Sequence, residues 1–153
     1  MTTLSPPDIT VFDIANWFLA KAKSEDKDLK HMKLQKLVYF AYGWHSAYSD
    51  QPLFPEKIFA WRHGPVVADL YGRFKRFGGN PIDHIADVPK FDESVLEILE
   101  DVWESYAPKT DIELSHITHR VEAPWAKVYT KYGQNTIIEP VEIRNYFKML
   151  AER

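Results

Sequence analysis

A mainly helical single domain with a small β element is the fold this sequence predicts, and three observations predict it. Apolar residues recur at helical spacing through most of the chain, and each run stops at a proline, a glycine or a polar cluster. Only two stretches, Ile58–Arg62 and Thr136–Ile138, are short enough and rich enough in β-branched or aromatic residues to be strands. No composition shift, repeat or low-complexity segment marks a second domain, and 153 residues suit one. The expected architecture is about seven helices packed as one compact domain with a minor two-stranded β element. Residues 10–153 form the domain, behind a flexible lead at 1–9 in which Pro6-Pro7 blocks helix.

The elements follow in order. Thr10 is an N-cap with Asp13 in the capping-box position, and Val11, Ile14, Ala15, Phe18 and Ala22 make the apolar face of a first helix. Ser24–Lys30 is a charged loop. A second helix begins near Met32, with Leu34, Leu37, Val38, Ala41, Trp44 and Tyr48 as its core stripe. Tyr39, Phe40 and Tyr42 widen that stripe. Gly43 inside it costs about 1 kcal/mol against alanine, which predicts close approach by a neighbour. Pro52 and Pro55 end this helix. After the strand at Ile58–Arg62, Gly64-Pro65 opens a third helix with Pro65 at its first position. Val66, Val67, Leu70, Tyr71, Phe74 and Phe77 form its buried face, and Gly78-Gly79 its stop. Residues 80–90 form a loop. Asp92 caps a fourth helix carrying Val95, Ile98, Leu99, Val102, Trp103 and Tyr106. A short helix spans Asp111–His119, another opens at Pro124-Trp125 and ends at Gly133, and the last starts at Pro140. Thr136–Ile138 pairs with Ile58–Arg62.

Composition excludes several function classes. There are no cysteines, which removes disulfides, thiolate metal sites and cysteine nucleophiles and fits a reducing cytoplasm. A net charge of −3 gives no general attraction to nucleic acid or acidic lipid. The start MTTLSPPDIT has neither the basic opening nor the apolar core of a signal peptide, and no apolar run approaches membrane-span length. The expected location is the cytoplasm, with no membrane partner.

The chemistry-bearing residues form no active site. His116 and His119 lie i, i+3 on one helix and, with His45 or His63, have the side chains for a metal, but no carboxylate ligand pattern accompanies them. His119 is better read as tying the Thr118–Trp125 turn through a backbone carbonyl. Ser46, Ser115 and Thr118 sit in no glycine-rich elbow, and the six glycines form no phosphate-binding loop. The pair Glu97 and Asp101 reads as a solvated helix face. No enzymatic activity, metal or cofactor is expected.

Two basic clusters interleave with aromatics: Lys27, Lys30, Lys33 and Lys36 with His31, and Arg73, Lys75 and Arg76. They carry the alternative reading, a nucleic-acid-binding regulator, although cations at a helix end also complement its dipole. The aromatics that the core stripes do not claim are Trp17, Tyr39, Trp61 and Trp125. For each of them, partial burial with a satisfied N–H or O–H is weighed against an interface role.

Lys33-Leu34-Gln35-Lys36-Leu37-Val38-Tyr39-Phe40-Ala41 followed by Gly43-Trp44-His45 resembles the opening motif of the Panacea antitoxin domain, the SocA-like family that includes phage-associated GepA-like proteins. The resemblance continues through Pro52-Leu53-Phe54, Ala60-Trp61, Gly64-Pro65-Val66-Val67, Leu70-Tyr71 and Phe74. Leu114-Ser115 with Thr118-His119 and Pro124-Trp125 resembles the second motif, and Ile138, Ile143 and Tyr146-Phe147 the closing helix. The chain departs from the pattern at His63, where an aromatic usually precedes Gly-Pro, and at Glu122-Ala123, where small residues precede Pro-Trp. The resemblance implies an antitoxin that neutralises a cognate toxin, encoded nearby, by direct protein–protein binding. It also implies, for some members, an adaptor that delivers the toxin to a protease such as a Clp-type machine. The motif residues Trp44, His45, Gly64, Pro65, Tyr71, Ser115, Thr118, His119, Pro124 and Trp125 are expected to build the scaffold. The expected partner contacts are Lys33, Gln35, Lys36 and Tyr39 at the start of the second helix, with Trp61, Arg62 and His63, because these mix charge and aromatic surface beside Gly64-Pro65.

Overall fold

The computed structural model describes residues 3–83 and 86–153; positions 1–2 of the expected lead and 84–85 of the expected 80–90 loop lie outside them. Among the described residues there are seven α-helices and a small antiparallel sheet: α1 (Val11–Ser24), α2 (His31–Ser49), β1 (Ile58–Trp61), β2 (Gly64–Val67), α3 (Ala68–Phe74), α4 (Glu93–Tyr106), α5 (Asp111–Thr118), α6 (Pro124–Tyr132), β3 (Thr136–Ile137) and α7 (Pro140–Ala151).

The organising element is α2. It packs against α1, α4, α7, α3 and β2, and from Leu34 to Gly43 every residue is buried. A helix buried on all sides cannot show a one-sided stripe, which is why the run of Tyr39, Phe40 and Tyr42 matters: Phe40 stacks on Tyr106 with ring centroids 3.9 Å apart, and Tyr39 meets the edge of Phe147 at 5.7 Å. Phe18, Phe40 and Phe147 are fully enclosed, each contributing roughly 1.5–3 kcal/mol of hydrophobic stabilisation. The close approach expected at Gly43 is made by α7: a Cβ on Gly43 would collide with the Phe147 ring. The far end of α2 departs from the expected stripe. Trp44 is half-buried and Tyr48 is 67% exposed, because both lie on the side of α2 that opens into a groove beside α4, while His45, Ser46 and Ala47 stay buried.

Local signals place most helix ends. Thr10 and Asp13 form the reciprocal capping box of α1, and Thr110 with Glu113 does the same for α5. Pro124 and Pro140 occupy first-turn positions of α6 and α7. Lys33 Nζ donates to the carbonyls of Ala107 and Lys109 at 2.7 and 2.9 Å, serving backbone groups at the end of α4.

The third helix does not begin at Gly64-Pro65. Those residues and Val66-Val67 form β2, which pairs antiparallel with β1 in the register Ile58↔Val67 to Trp61↔Gly64. The strand order β2-β1-β3 gives three strands where two were expected, with β1–β3 pairing through Phe59↔Ile137 and Ala60↔Thr136 as the sequence indicates. Proline is tolerated in β2 because it is an edge strand, and the two valines favour extended backbone. The open side of β2 is closed by Gln35, whose Oε1 accepts from the Val67 amide at 3.0 Å and whose Nε2 donates to the Val67 carbonyl at 3.2 Å. An unpaired edge is thereby satisfied from a helix side chain.

From Leu4 onward the N-terminal lead makes backbone contacts with the segment before α4. The Leu4 amide donates to the Lys90 carbonyl at 2.7 Å, its carbonyl accepts from the Asp92 amide at 2.8 Å, and Ile9 is fully buried. The cause is apolar: Ile9 belongs to the core cluster, and Leu4 packs against it. No described helix is long and apolar enough to cross a membrane.

Candidate functional site: the hairpin corner

Arg62 and His63 link β1 to β2 as a two-residue turn, and both are exposed. Gly64 completes the turn at φ +130°, a conformation that side chains rarely adopt. The turn is braced from one side by the segment before β3. The Arg62 amide donates to Gln134 Oε1 at 2.8 Å, and the Asn135 amide donates to the Ala60 carbonyl at 2.8 Å. Trp61 Nε1 donates to Asn135 Oδ1 at 3.1 Å, and the Trp61 ring meets Tyr71 edge-on at 4.9 Å. Trp61 thus keeps a half-buried ring with its one donor satisfied, the amphipathic arrangement common at binding surfaces.

The second motif closes the corner from the other side. Trp125, at the start of α6, donates its indole N–H to the Trp61 carbonyl at 2.6 Å and stacks on Tyr129 at 4.9 Å. The His119 ring lies 4.0 Å from the Trp125 ring. At the end of α5, Thr118 Oγ1 donates to the Ser115 carbonyl at 3.0 Å, and Ser115 Oγ lies 3.4 Å from His119 Nδ1. The turn after α5 is set by the Ala123 amide donating to the Arg120 carbonyl at 2.9 Å, with Pro124 then starting α6. A Cβ on Gly64 would sit 3.4 Å from His119 Nε2 and 3.5 Å from Thr118 Oγ1, so backbone angle rather than space demands glycine here. Burial holds His119 below the ordinary histidine range, partly offset by contact with the His63 backbone. Its Nε2 is closed off from solvent with no hydrogen-bond partner among the described residues.

The structure therefore gathers Trp61, Arg62, His63, Gly64, Thr118, His119 and Trp125, far apart in sequence, into one corner. It does not bring the start of α2 to the same surface. Gln35 is 1% exposed and committed to Val67, and Tyr39 is 2% exposed among Phe40, Phe147 and neighbours. Both side chains face the interior of the fold and not solvent. Lys33 spends its ammonium on backbone carbonyls. Lys36 is 8% exposed, its pKa lowered by burial and partly restored by Asp111. These side chains meet their partners inside the fold because α2 is covered all round.

Other motif residues serve the scaffold. His45 Nδ1 lies 3.1 Å from the Gln51 carbonyl, which fixes the chain leaving α2, and Tyr71 bridges the rings of Trp61 and His31. Trp17, left unassigned by spacing, is 9% exposed and packs edge-on against Phe18. The basic clusters are largely engaged at home: Arg73 lies over the Phe12 ring at 3.6 Å, Arg76 over Phe77 at 4.9 Å, and Lys27 pairs with Glu25 at 3.4 Å. Among the described residues no group of three or more histidines or carboxylates is placed to hold a metal.

Sequence reasoning missed Gln35 as the clamp of an edge strand. The available signal was one amide side chain between Leu34 and the apolar run that starts at Leu37.

Residues 34–126 match the family described as Antitoxin SocA-like, Panacea domain. The chain is also similar to Antitoxin SocA of Caulobacter vibrioides (strain NA1000 / CB15N), at 28% identity over 145 residues, covering 87% of this chain and 77% of that protein. No solved structure matches. The matched span runs from α2 through the hairpin corner to the start of α6, and on that extent the chain belongs to the SocA-like Panacea domain family.

Proposed function

We propose that this chain is an antitoxin that neutralises a cognate toxin by direct protein–protein contact in the cytoplasm, and that the hairpin corner is part of the contact surface. Family membership and the similarity to Antitoxin SocA support the role. One observation carries the surface: Arg62 and His63 are exposed at the tip of a turn whose backbone is braced by Gln134, Asn135 and Trp125. A rigid tip loses little freedom on binding, which favours affinity. Trp61 beside it supplies the aromatic area that dominates many interfaces. The corner offers hydrogen-bonding and aromatic surface, which suits binding of a partner protein.

The finer form of this reading is an adaptor that hands the toxin to a Clp-type protease. Simple occlusion gives a stoichiometric complex with a long-lived toxin, whereas delivery gives toxin loss that depends on the protease. The decisive experiment is co-expression of the adjacent small open reading frame with and without this chain. Rescue of growth supports the antitoxin role and supplies the partner. A neighbour that is harmless, or lethal regardless, overturns it. Rescue that survives replacement of Trp61, Arg62 and His63 by alanine moves the contact surface elsewhere.

A further inference from the structure

A second surface, sharing no residue with the hairpin corner, lies where the open side of the last turns of α2 passes α4. It is an open groove of about 290 Å³ lined by Trp44, Tyr48, Ile98, Asp101, Glu104 and Tyr106, among others. Its floor is aromatic and fixed. Tyr48, 67% exposed, stacks on Trp44 with centroids 6.0 Å apart and planes at 22°. Trp44 Nε1 donates to the Tyr106 hydroxyl at 2.9 Å, and Phe147 meets the Trp44 ring edge-on at 5.2 Å. The indole donor is thus used internally, and what remains for a visitor is ring face.

Its rim is acidic. Helix α4 carries Glu93, Glu97, Glu100, Asp101 and Glu104 and no lysine or arginine. Glu100 is paired with Lys21 at 3.0 Å. Asp101 and Glu104 are exposed and have no ion-pair partner among the described residues, and no cation lines the groove. Aromatic faces carry the negative side of their quadrupole outward, and carboxylates beside them add to that potential. A neutral apolar segment would cover these carboxylates without compensating them, and an acidic segment or a phosphate backbone would be repelled. The long arms of arginine and lysine fit both features, with the methylenes along the rings and the charged head at the rim.

We propose that the α2–α4 groove docks a lysine- or arginine-bearing segment of a partner protein, with one cationic side chain laid over Tyr48 and Trp44 and held by Asp101 and Glu104. The charge complementarity selects this occupant, and the inference stands independently of the antitoxin reading.

The test uses the full chain and a short blocked peptide with arginines one helical turn apart, and the same peptide with citrulline in their place. Binding is followed by calorimetry and by the Trp44 indole N–H resonance, assigned with a Trp44→Phe variant. The arginine peptide is expected to shift that resonance, and the citrulline peptide is not. Asp101→Asn with Glu104→Gln is expected to weaken binding by about tenfold or more, and Tyr48→Ala by about threefold. Glu139→Gln with Glu142→Gln, the same charge change elsewhere, is expected to leave it within about twofold. Equal weakening by the two charge variants, binding of the citrulline peptide, or no binding of the arginine peptide would overturn the proposal. So would a dimer in sedimentation that Tyr48→Ala dissolves, because the occupant would then be a second copy of this chain.

Discussion

The start of α2 and the tip of the β1–β2 hairpin carry similar residues, cationic and aromatic side chains beside polar ones, and they meet opposite fates. In α2, Gln35, Lys36 and Tyr39 are enclosed by α1, α4, α7 and β2. At the hairpin, Arg62 and His63 stand in solvent while their backbone is pinned from behind. The difference teaches that residue type does not decide between scaffold and surface in a chain so rich in aromatics; the number of elements converging on a segment does. Substitutions in α2 are therefore expected to act on stability, and those at the tip on partner binding.

The largest expected effect is Gln35→Leu. It fills the same space but strips both hydrogen bonds from the buried Val67 amide and carbonyl, and should cost about 3 kcal/mol of unfolding free energy. Chemical denaturation measures this; a loss below about 0.5 kcal/mol would mean that β2 does not need its helix-side clamp. Next is Gly43→Ala, which drives a methyl into the Phe147 ring. The helix gains propensity, yet overpacking should leave a net loss of about 2 kcal/mol. Combining it with Phe147→Leu should recover part of that loss if the clash is the cause.

At the tip the order of effects inverts. Trp61→Ala should cost about 2 kcal/mol of toxin affinity, in the range of interface hot spots. Arg62→Ala with His63→Ala should weaken toxin binding at least about tenfold while stability stays within about 0.5 kcal/mol. A binding assay beside a melting curve sharpens the comparison, and a tip variant that unfolds the protein without touching affinity would break it.

The smallest effect is the response to acid. His31, His45 and His119 are all held below the ordinary histidine range, with burial the main cause in each. The unfolded chain therefore takes up protons first as pH falls below about 6.5. The stability these residues contribute is complete above that value and is lost as pH drops through it toward their folded values. Denaturation midpoints should be lower at about pH 5.5 than at about pH 7.5, and His31→Gln should flatten the slope. Glu25, Asp50 and Glu113, shifted down by their hydrogen-bond partners, act in a lower window because carboxylates titrate there.

Much of the fold was legible because its signals are local. The capping box of Thr10 and Asp13, the prolines that open α6 and α7, and the glycine that ends α6 each act within a few residues of themselves. The strand at Ile58 and its pairing with Thr136–Ile137 were legible from composition. Gly64-Pro65 was not, because a proline that fits the first turn of a helix fits an edge strand equally well, and only pairing with β1 separates the two. Of the candidate site, the hairpin residues Arg62 and His63 are exposed, as a contact surface requires, and Gln35, Lys36 and Tyr39 are not. Apolar and aromatic neighbours on consecutive positions from Val38 to Tyr42 signalled burial on every side, but they did not say that Gln35 and Lys36 would be enclosed with them.

What the sequence determined by itself is the set of helices, most of their ends, the demand for close approach at Gly43, and the motifs that mark the family. Each follows from backbone preferences or from the presence or absence of a side chain. Tertiary structure alone decided that Gly64–Val67 is a strand, that Gln35 is its clamp, that Tyr48 is uncovered, and that Trp125, with His119 against its ring, meets Trp61 across the corner. Those outcomes depend on which distant segments satisfy a given backbone group or cover a given ring, and no local preference encodes that partner.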